Sequence, residues 1–553
     1  MTPDQIYCTS CGTANPAGAR FCYKCGALIQ VVEESAPPAA LNAEAAQPEG
    51  PVVEPETMPE KKGSRALEWI LIAVVLFVII VVAGILSYPK ISEKLAAMRA
   101  TPTSTSTATA TATITNTPTP TPIGLSEDLS AVIANASDGD TLYLEPGTYT
   151  LAQGIVIQKT LTIIGAGRDQ TKIVTSKTSA YLENHALMHF DGEGTLSLKG
   201  ISLVYEGSDP SSVLKVYNGH LELSDCRISG ATLTTDKKIQ FGLVLTNSSN
   251  GHVDNCVIDG NTNVGGDAVP GGIGVAKTAQ LDLSNSQFLN SDFAIVTYDS
   301  AKITVTSSEI SGTKYGIYIQ GTSEATLTEN VFTKNSIDSI LYRGNSTGTA
   351  SLNQITGNGD DLAIYVTEEA APTLEKNTVD GSQVGIYYKK TGGGIARQNE
   401  ISNSVVEGIA VKDTSAPTLE ENTIKNQATD SGSPSDALGI TYSESAGGTA
   451  SKNTISGFVY GISVSGSATP LLEENTLTDN TGAIGYGAKA GGTARGNKIS
   501  NNQYGIIVQN EASPTLEENE IFSNKYSIQL DKLANPTLKN NNIHDNTTND
   551  IVY

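Results

Sequence analysis

Four cysteines in the first 30 residues carry the clearest chemistry of the chain. Cys8, Cys11, Cys22 and Cys25 form C-x2-C-x10-C-x2-C, with Gly12 and Gly26 directly after each pair, where the backbone must turn beneath an ion. Four thiolates in two knuckles suit tetrahedral Zn2+ in a closed, structural site. The metal would supply folding energy that so short a segment cannot draw from a core of its own. Two disulfides are the competing reading.

A second group recurs at regular spacing. Tyr318, Leu341, Tyr365 and Tyr387 stand in equivalent positions, with Arg343, Lys389 and Lys390 close by. If these positions stack on the outside of the molecule, the tyrosines form a strip of aromatic faces suited to sugar rings, and the cations suit acidic groups on a glycan. Ordinary surface tyrosine in strands, which favour it, is the competing reading. Farther along, the column fades to Ala410, Thr441, Ser463 and Gly485.

The elements that would position such a strip are read from two ladders. Asn followed, two residues later, by Ile, Leu, Val or Phe returns at Asn330, Asn353, Asn377, Asn399, Asn422, Asn453, Asn475, Asn497, Asn519 and Asn541, in steps of 22 to 24 residues with one of 31. Ile273, Ile295, Ile317, Ile340, Ile364, Ile386, Ile409, Ile440, Ile462, Ile484, Ile506 and Ile528 keep the same phase, and from Ile317 on the chain is apolar again two residues after each. A fixed period with alternation of two predicts a β-solenoid whose equivalent residues form columns. Both ladders lengthen between residues 424 and 440, where QATDSGSPSD reads as an extruded loop.

Several columns have a structural reading. The Asn column is expected at a sharp corner, because Asn tolerates the left-handed conformation, with side-chain amides bonding from coil to coil. Leu327, Ala350, Leu374, Ala396, Leu419, Ala450, Leu472, Ala494 and Leu516 alternate large with small and are expected to interdigitate inside. Glu375, Arg397, Glu420, Ser451, Glu473, Arg495, Glu517 and Lys539 are expected to pair across the stack, as are Glu421, Lys452 and Glu474. Cys226 and Cys256 fall in the Asn column of earlier coils; the separation permits a disulfide, and two buried thiols is the favoured reading.

The rest of the chain divides by composition. Residues 31–65 are rich in Pro, Ala and Glu and read as a disordered linker. Trp69 to Tyr88 is 20 residues without a charge, long enough at about 1.5 Å per residue for a transmembrane helix within 66–90. Thr/Pro repeats close the segment 91–122 and predict an extended stalk. Positive charges flank the span evenly, so cysteine chemistry sets the orientation: metal-binding thiols prefer a reducing compartment, which places the N-terminus in the cytoplasm and the bulk outside. A formal charge of −23 without a basic stripe excludes nucleic acid as a partner.

Three resemblances follow from these residues. YCTSCGTANPAGARFCYKCGALI resembles the short zinc ribbons at the N-termini of many prokaryotic membrane proteins, which implies a structural metal and a cytoplasmic partner of unknown kind. Residues 123–553 open with a short helix within 125–136, then SDGDTLYLEPGTYTL and GIVIQKTLTIIGAGRDQTKIV, and resemble pectin-lyase-like right-handed β-helices, in which such a helix caps the open end. The Asn-x-Ile coils resemble the carbohydrate-binding and sugar-hydrolase repeats of that superfamily, NosD-type copper-site maturation proteins included. The fold expected is therefore an all-β, right-handed parallel β-helix solenoid over 123–553, with a zinc ribbon over 1–30 and one transmembrane helix.

Catalytic motifs of that superfamily are broken here. Asn261-Thr262-Asn263, Asp360-Asp361, Gly219-His220-Leu221 and Arg227-Ile228-Ser229 stand where polygalacturonase-like enzymes need intact motifs in another order, so inverting hydrolysis by two carboxylates is unsupported. Asp225, Asp254 and Asp282 lie in neighbouring coils at differing offsets and read as surface acids rather than a Ca2+ cluster. The expected function is a membrane-anchored surface protein that binds a polysaccharide or a cell-envelope partner; the alternative is a polysaccharide lyase, hydrolase or epimerase. Five His without a cluster leave copper to the family resemblance alone.

Overall fold

The computed structural model describes residues 5–7 and 14–16 and, within 121–552, all but 183, 232–239, 261–270, 428–434 and 549–550. Cys8, Cys11, Cys22 and Cys25, the linker, the apolar run Trp69 to Tyr88 and the stalk up to Pro120 lie outside the described residues. Among those described, no helix is long and apolar enough to cross a membrane.

The chain forms two units, residues 1–115 and 116–553. In the first, the strands Gln5–Tyr7 and Ala14–Pro16 pair antiparallel, with Tyr7 opposite Ala14. The second is a parallel β-helix. A typical coil holds three strands, Asp338–Tyr342, Thr347–Ser351 and Gln354–Thr356, and each pairs in parallel with its counterpart one coil on: Leu362–Thr367, Thr373–Glu375 and Thr378–Asp380. The Ile ladder is in register from Ile273 to Ile528 and buried throughout. After the insertion near residue 430 the coils resume in phase, Ile409 opposite Ile440.

The N-terminal end is closed by α1, Leu129–Asn135, shorter than the sequence suggests. The Asp128 carboxylate accepts from the Ser130 N–H and caps its first turn, and Leu129 and Ile133 enter the core. The strand Asn184–Lys199 turns back antiparallel on Ser179–Tyr181, the one antiparallel pairing described in this unit.

The Asn column bonds coil to coil as expected, but its residues do not make the left-handed corner. Positive φ falls one residue earlier, at Glu329, Leu352, Lys376, Gln398, Glu421, Lys452, Glu474, Gly496 and Glu518. The Asn side chains instead point inward and are buried. Each amide nitrogen donates to a carbonyl of the preceding coil and to the next Asn; Asn422 Nδ2 reaches Ala396 O at 2.8 Å and Asn453 Oδ1 at 2.9 Å. Each amide oxygen also accepts the backbone N–H of the Asn before it, as Asn422 Oδ1 does from Asn399 at 3.0 Å. Asn is selected here because one planar group supplies both functions to buried backbone that lacks strand partners.

The same column continues upstream with other acceptors. Ser308 N–H donates to Asn330 Oδ1, Ser286 N–H to Ser308 Oγ, Cys256 N–H to Ser286 Oγ and Cys226 N–H to Cys256 Sγ at 3.4 Å. Cys226 and Cys256 are free, buried thiols. A second Asn ladder, unforeseen in the sequence, runs Asn480, Asn502, Asn524 and Asn546 five residues after the first.

The large–small alternation is complementary within each coil. Tyr342, Tyr388, Tyr442 and Tyr486 share coils with Ala350, Ala396, Ala450 and Ala494, while Val366, Val411, Val464 and Val508 share coils with Leu374, Leu419, Leu472 and Leu516; all are buried. A ring opposite a methyl and an isopropyl opposite an isobutyl fill equal cross-sections, which fixes the two-coil repeat. Of the charged column, Arg397–Glu375 (2.7 Å), Arg495–Glu473 (2.7 Å) and Lys539–Glu517 (3.7 Å) pair across the stack. The expected second series is not an ion-pair series: Glu421 accepts from the Gln398 amide, and among the described residues it forms no bridge with Lys452.

Candidate binding face

The outward side of the strands that carry the Ile ladder presents two parallel columns. One holds Tyr318, Leu341, Tyr365, Tyr387 and Ala410 in register. The other, three residues earlier, holds Phe293, Tyr315, Asp338, Leu362, Val384 and Glu407. The structure therefore brings the predicted tyrosines onto one surface and adds Phe293 and Tyr315, which stack with centroids 4.6 Å apart.

The rings do not present flat faces outward. Tyr365 and Tyr387 stack on one another at 5.2 Å and 16°, because coil spacing of about 4.8 Å is close to ring-stacking distance. Lys412 Nζ and Lys389 Nζ lie 5.4 and 6.0 Å from the Tyr387 centroid. The surface shows ring edges and hydroxyls, and buried Leu341 separates Tyr318 from the Tyr365–Tyr387 stack.

The cations are held by the protein itself. Arg343 donates to Tyr318 Oη at 2.8 Å and to Glu368 at 3.0 Å, Lys390 reaches Glu368 at 3.2 Å, and Lys412 reaches Glu407 at 3.1 Å. The fading at Gly485 also has a cause. A Cβ on Gly482 or Gly485 would stand 2.8 or 2.7 Å from the Tyr460 ring of the preceding coil, so glycine there makes room for an aromatic side chain.

Asp338 is the one acid of this face enclosed without a hydrogen-bond partner. It is 4% exposed, and its Oδ1 is sealed and unpaired. Burial, and then the charge of nearby Asp361, push its carboxyl up to about 7. Asp361 is itself raised by burial, although it accepts from the Asn358 N–H and Ser382 Oγ.

A second cluster lies toward the N-terminal end, where coils are irregular and no period reveals it. His189 and Lys215 are in register on the continuation of the tyrosine column, through Val244, Gly274 and Val296. His189 Nε2 meets Ser179 O at 3.0 Å and Nδ1 meets Tyr217 Oη at 3.3 Å. Tyr181 donates to Asp191 at 2.7 Å, as does Asn218. Burial lowers His189 to about 4 and raises Tyr217 to about 12, so the pair is neutral near pH 7. The acids Asp225, Asp254 and Asp282 do not converge: Asp254 pairs in register with Ser224 and Ser284, Asp282 with His252, and Asp225 turns to Arg168 at 3.4 Å. Hydrogen bonds from Asn285 and Ser284 hold the Asp254 carboxyl below the usual range.

This geometry defines a β-helix with an aromatic outward face, and the sequence comparisons agree on the β-helix. Residues 271–424 and 438–553 match the family described as right handed beta helix region, residues 133–346 the family described as periplasmic copper-binding protein (NosD), and residues 7–29 the zinc-ribbon domain. The chain thus matches a zinc-ribbon model followed by NosD and right-handed β-helix models. No curated protein matches it. Similar solved structures include a PL6 alginate lyase in complex with trisaccharide (14% identity, 63% of this chain and 81% of that one, TM-score 0.39) and the N-terminal fragment of bacteriophage Phi29 gene product 12 (12%, 73% and 87%, 0.35). A periplasmic alginate epimerase is also similar (13%, 72% and 83%, 0.32).

Proposed function

We propose that this protein is a single-span membrane protein whose β-helix, outside the membrane, binds a polysaccharide or another cell-envelope component through the face built by Tyr315, Tyr318, Tyr365 and Tyr387. The observation that carries this reading is the placement of those rings on the outward side of one regular sheet, with Tyr318, Tyr365 and Tyr387 in a single column. The span is the charge-free run Trp69 to Tyr88, and the zinc ribbon lies in the cytoplasm. Cys8, Cys11, Cys22 and Cys25 fit a structural Zn2+: the donor set is four thiolates, and Cys8 directly follows the described strand Gln5–Tyr7.

The test is glycan-array binding of the full chain in detergent, with neutral, uronate-containing and peptidoglycan-derived probes. Combined Tyr318→Ala, Tyr365→Ala and Tyr387→Ala substitutions are expected to abolish binding while the helix still folds; unchanged binding overturns the reading. For the ribbon, about one Zn2+ per chain by metal analysis, lost in Cys22→Ser, is expected.

A catalytic reading is favoured by the Tyr217–His189 contact beside Asp191, which resembles a base with its positioning partner. Product release from uronate polymers, lost in Tyr217→Phe, would support it; no product from any polymer would exclude it on those substrates. Copper, which the NosD family description carries, does not fit the described residues. No three of His, Cys, Asp or Glu converge among them, both thiols sit in the interior column, and both nitrogens of His189 are engaged.

A further inference from the structure

The notch at Asp338 narrows the class of glycan. In its column Asp338 is a short side chain between Tyr315 and Leu362, so it forms a gap one coil high in an otherwise bulky row. The Phe293–Tyr315 stack walls one side, and Leu341 and Tyr365 belong to the adjacent column. Neither carboxyl oxygen has a protein hydrogen-bond partner among the described residues, and Oδ1 is sealed, which leaves Oδ2 as the oxygen that a ligand reaches. An enclosed carboxyl without a donor is costly, and the donor it lacks must come from outside the fold.

Most of the cations that would attract an acidic polymer are already paired, Lys389 excepted, which lies against the Tyr387 ring. Arg343 and Lys390 converge on Glu368, and Lys412 on Glu407. What remains near the notch is acidic, Asp338 with Asp361 behind it, so a uronate would meet repulsion. A sugar hydroxyl offers the missing donor.

We propose that Asp338 is the floor of a subsite that hydrogen-bonds one hydroxyl of an uncharged sugar residue, so that the polysaccharide read by this face is neutral rather than rich in uronic acid. This rests on the binding reading above.

The experiment is equilibrium binding of the full chain in detergent at pH 7 to a soluble neutral glucan and to polygalacturonate, for the wild type, Asp338→Asn and Asp338→Ser. The expected result is preference for the neutral polymer and a loss of about 10-fold to 100-fold in both variants, the range for leaving a buried hydrogen-bonding group unsatisfied, with the fold retained and the unfolding midpoint of Asp338→Asn at or above that of the wild type. Preference for polygalacturonate, or neutral-polymer binding unchanged in both variants, overturns the subsite while leaving the tyrosine face intact. Binding of neither polymer, nor of any array glycan, overturns the binding reading and the subsite with it.

Discussion

Removing one amide from the Asn column tests the account of how the coils are held. In Asn422→Ala, the Asn399 backbone N–H (3.0 Å) and one hydrogen of the Asn399 amide (2.9 Å) lose their acceptor, Asn422 Oδ1. The Ala396 carbonyl loses its 2.8 Å donor, and the Asn422–Asn453 amide bond disappears. All these groups are buried, so water cannot replace the partners. Two orphaned donors at about 1–3 kcal/mol each predict a loss of about 2–6 kcal/mol. Asn422→Ser separates the two functions. Ser286 and Ser308 show that a hydroxyl in this column accepts the preceding N–H, at 3.0 and 3.1 Å, and donates to a local carbonyl. Serine should therefore satisfy the Asn399 N–H, orphan only its amide hydrogen, and cost about half as much as alanine. Urea unfolding, with hydrogen exchange of the Asn399, Asn422 and Asn453 amides as the local readout, measures both. A cost below about 0.5 kcal/mol for alanine, the range of neutral surface changes, or a serine variant no better than alanine, would refute the reasoning.

Three further outcomes follow from the same geometry. Because the folded Asp338 carboxyl is raised from 3.8 to about 7, its contribution is fully present below about 4 and lost as pH rises through 7; Asp338→Asn should stabilise the protein relative to wild type by up to about 4 kcal/mol at pH 8 and by nothing near pH 3, and a pH-independent difference would contradict this. Tyr442 Oη is buried without a partner, so Tyr442→Phe should be neutral or stabilising by about 1 kcal/mol in thermal unfolding, and a loss of more than that would show a hidden partner. Gly485→Ala should destabilise by driving a methyl against the Tyr460 ring, and Tyr460→Ala should rescue it; additive losses in the double variant would deny the contact.

The sequence alone determined the repeat, its register and the inward columns, because a parallel stack turns periodicity along the chain directly into neighbours in space: Ile340 had to meet Ile364 once coils were of equal length. It also carried the knuckle spacing of Cys8, Cys11, Cys22 and Cys25 and placed the tyrosines in one column. Only the tertiary structure decided what the residues in each column do. Asn330 and its successors turned inward, with the left-handed corner left to the residue before each, since their amides are needed by buried backbone. The rings of Tyr365 and Tyr387 turned to face each other, Arg343 turned to Tyr318 and Glu368, and Asp338 was enclosed by neighbours some 23 residues away on either side. The His189–Tyr217 contact stayed hidden because irregular coils carry no period to read. Side-chain direction and enclosure depend on the two coils stacked above and below, and that information is not local to any stretch of the chain.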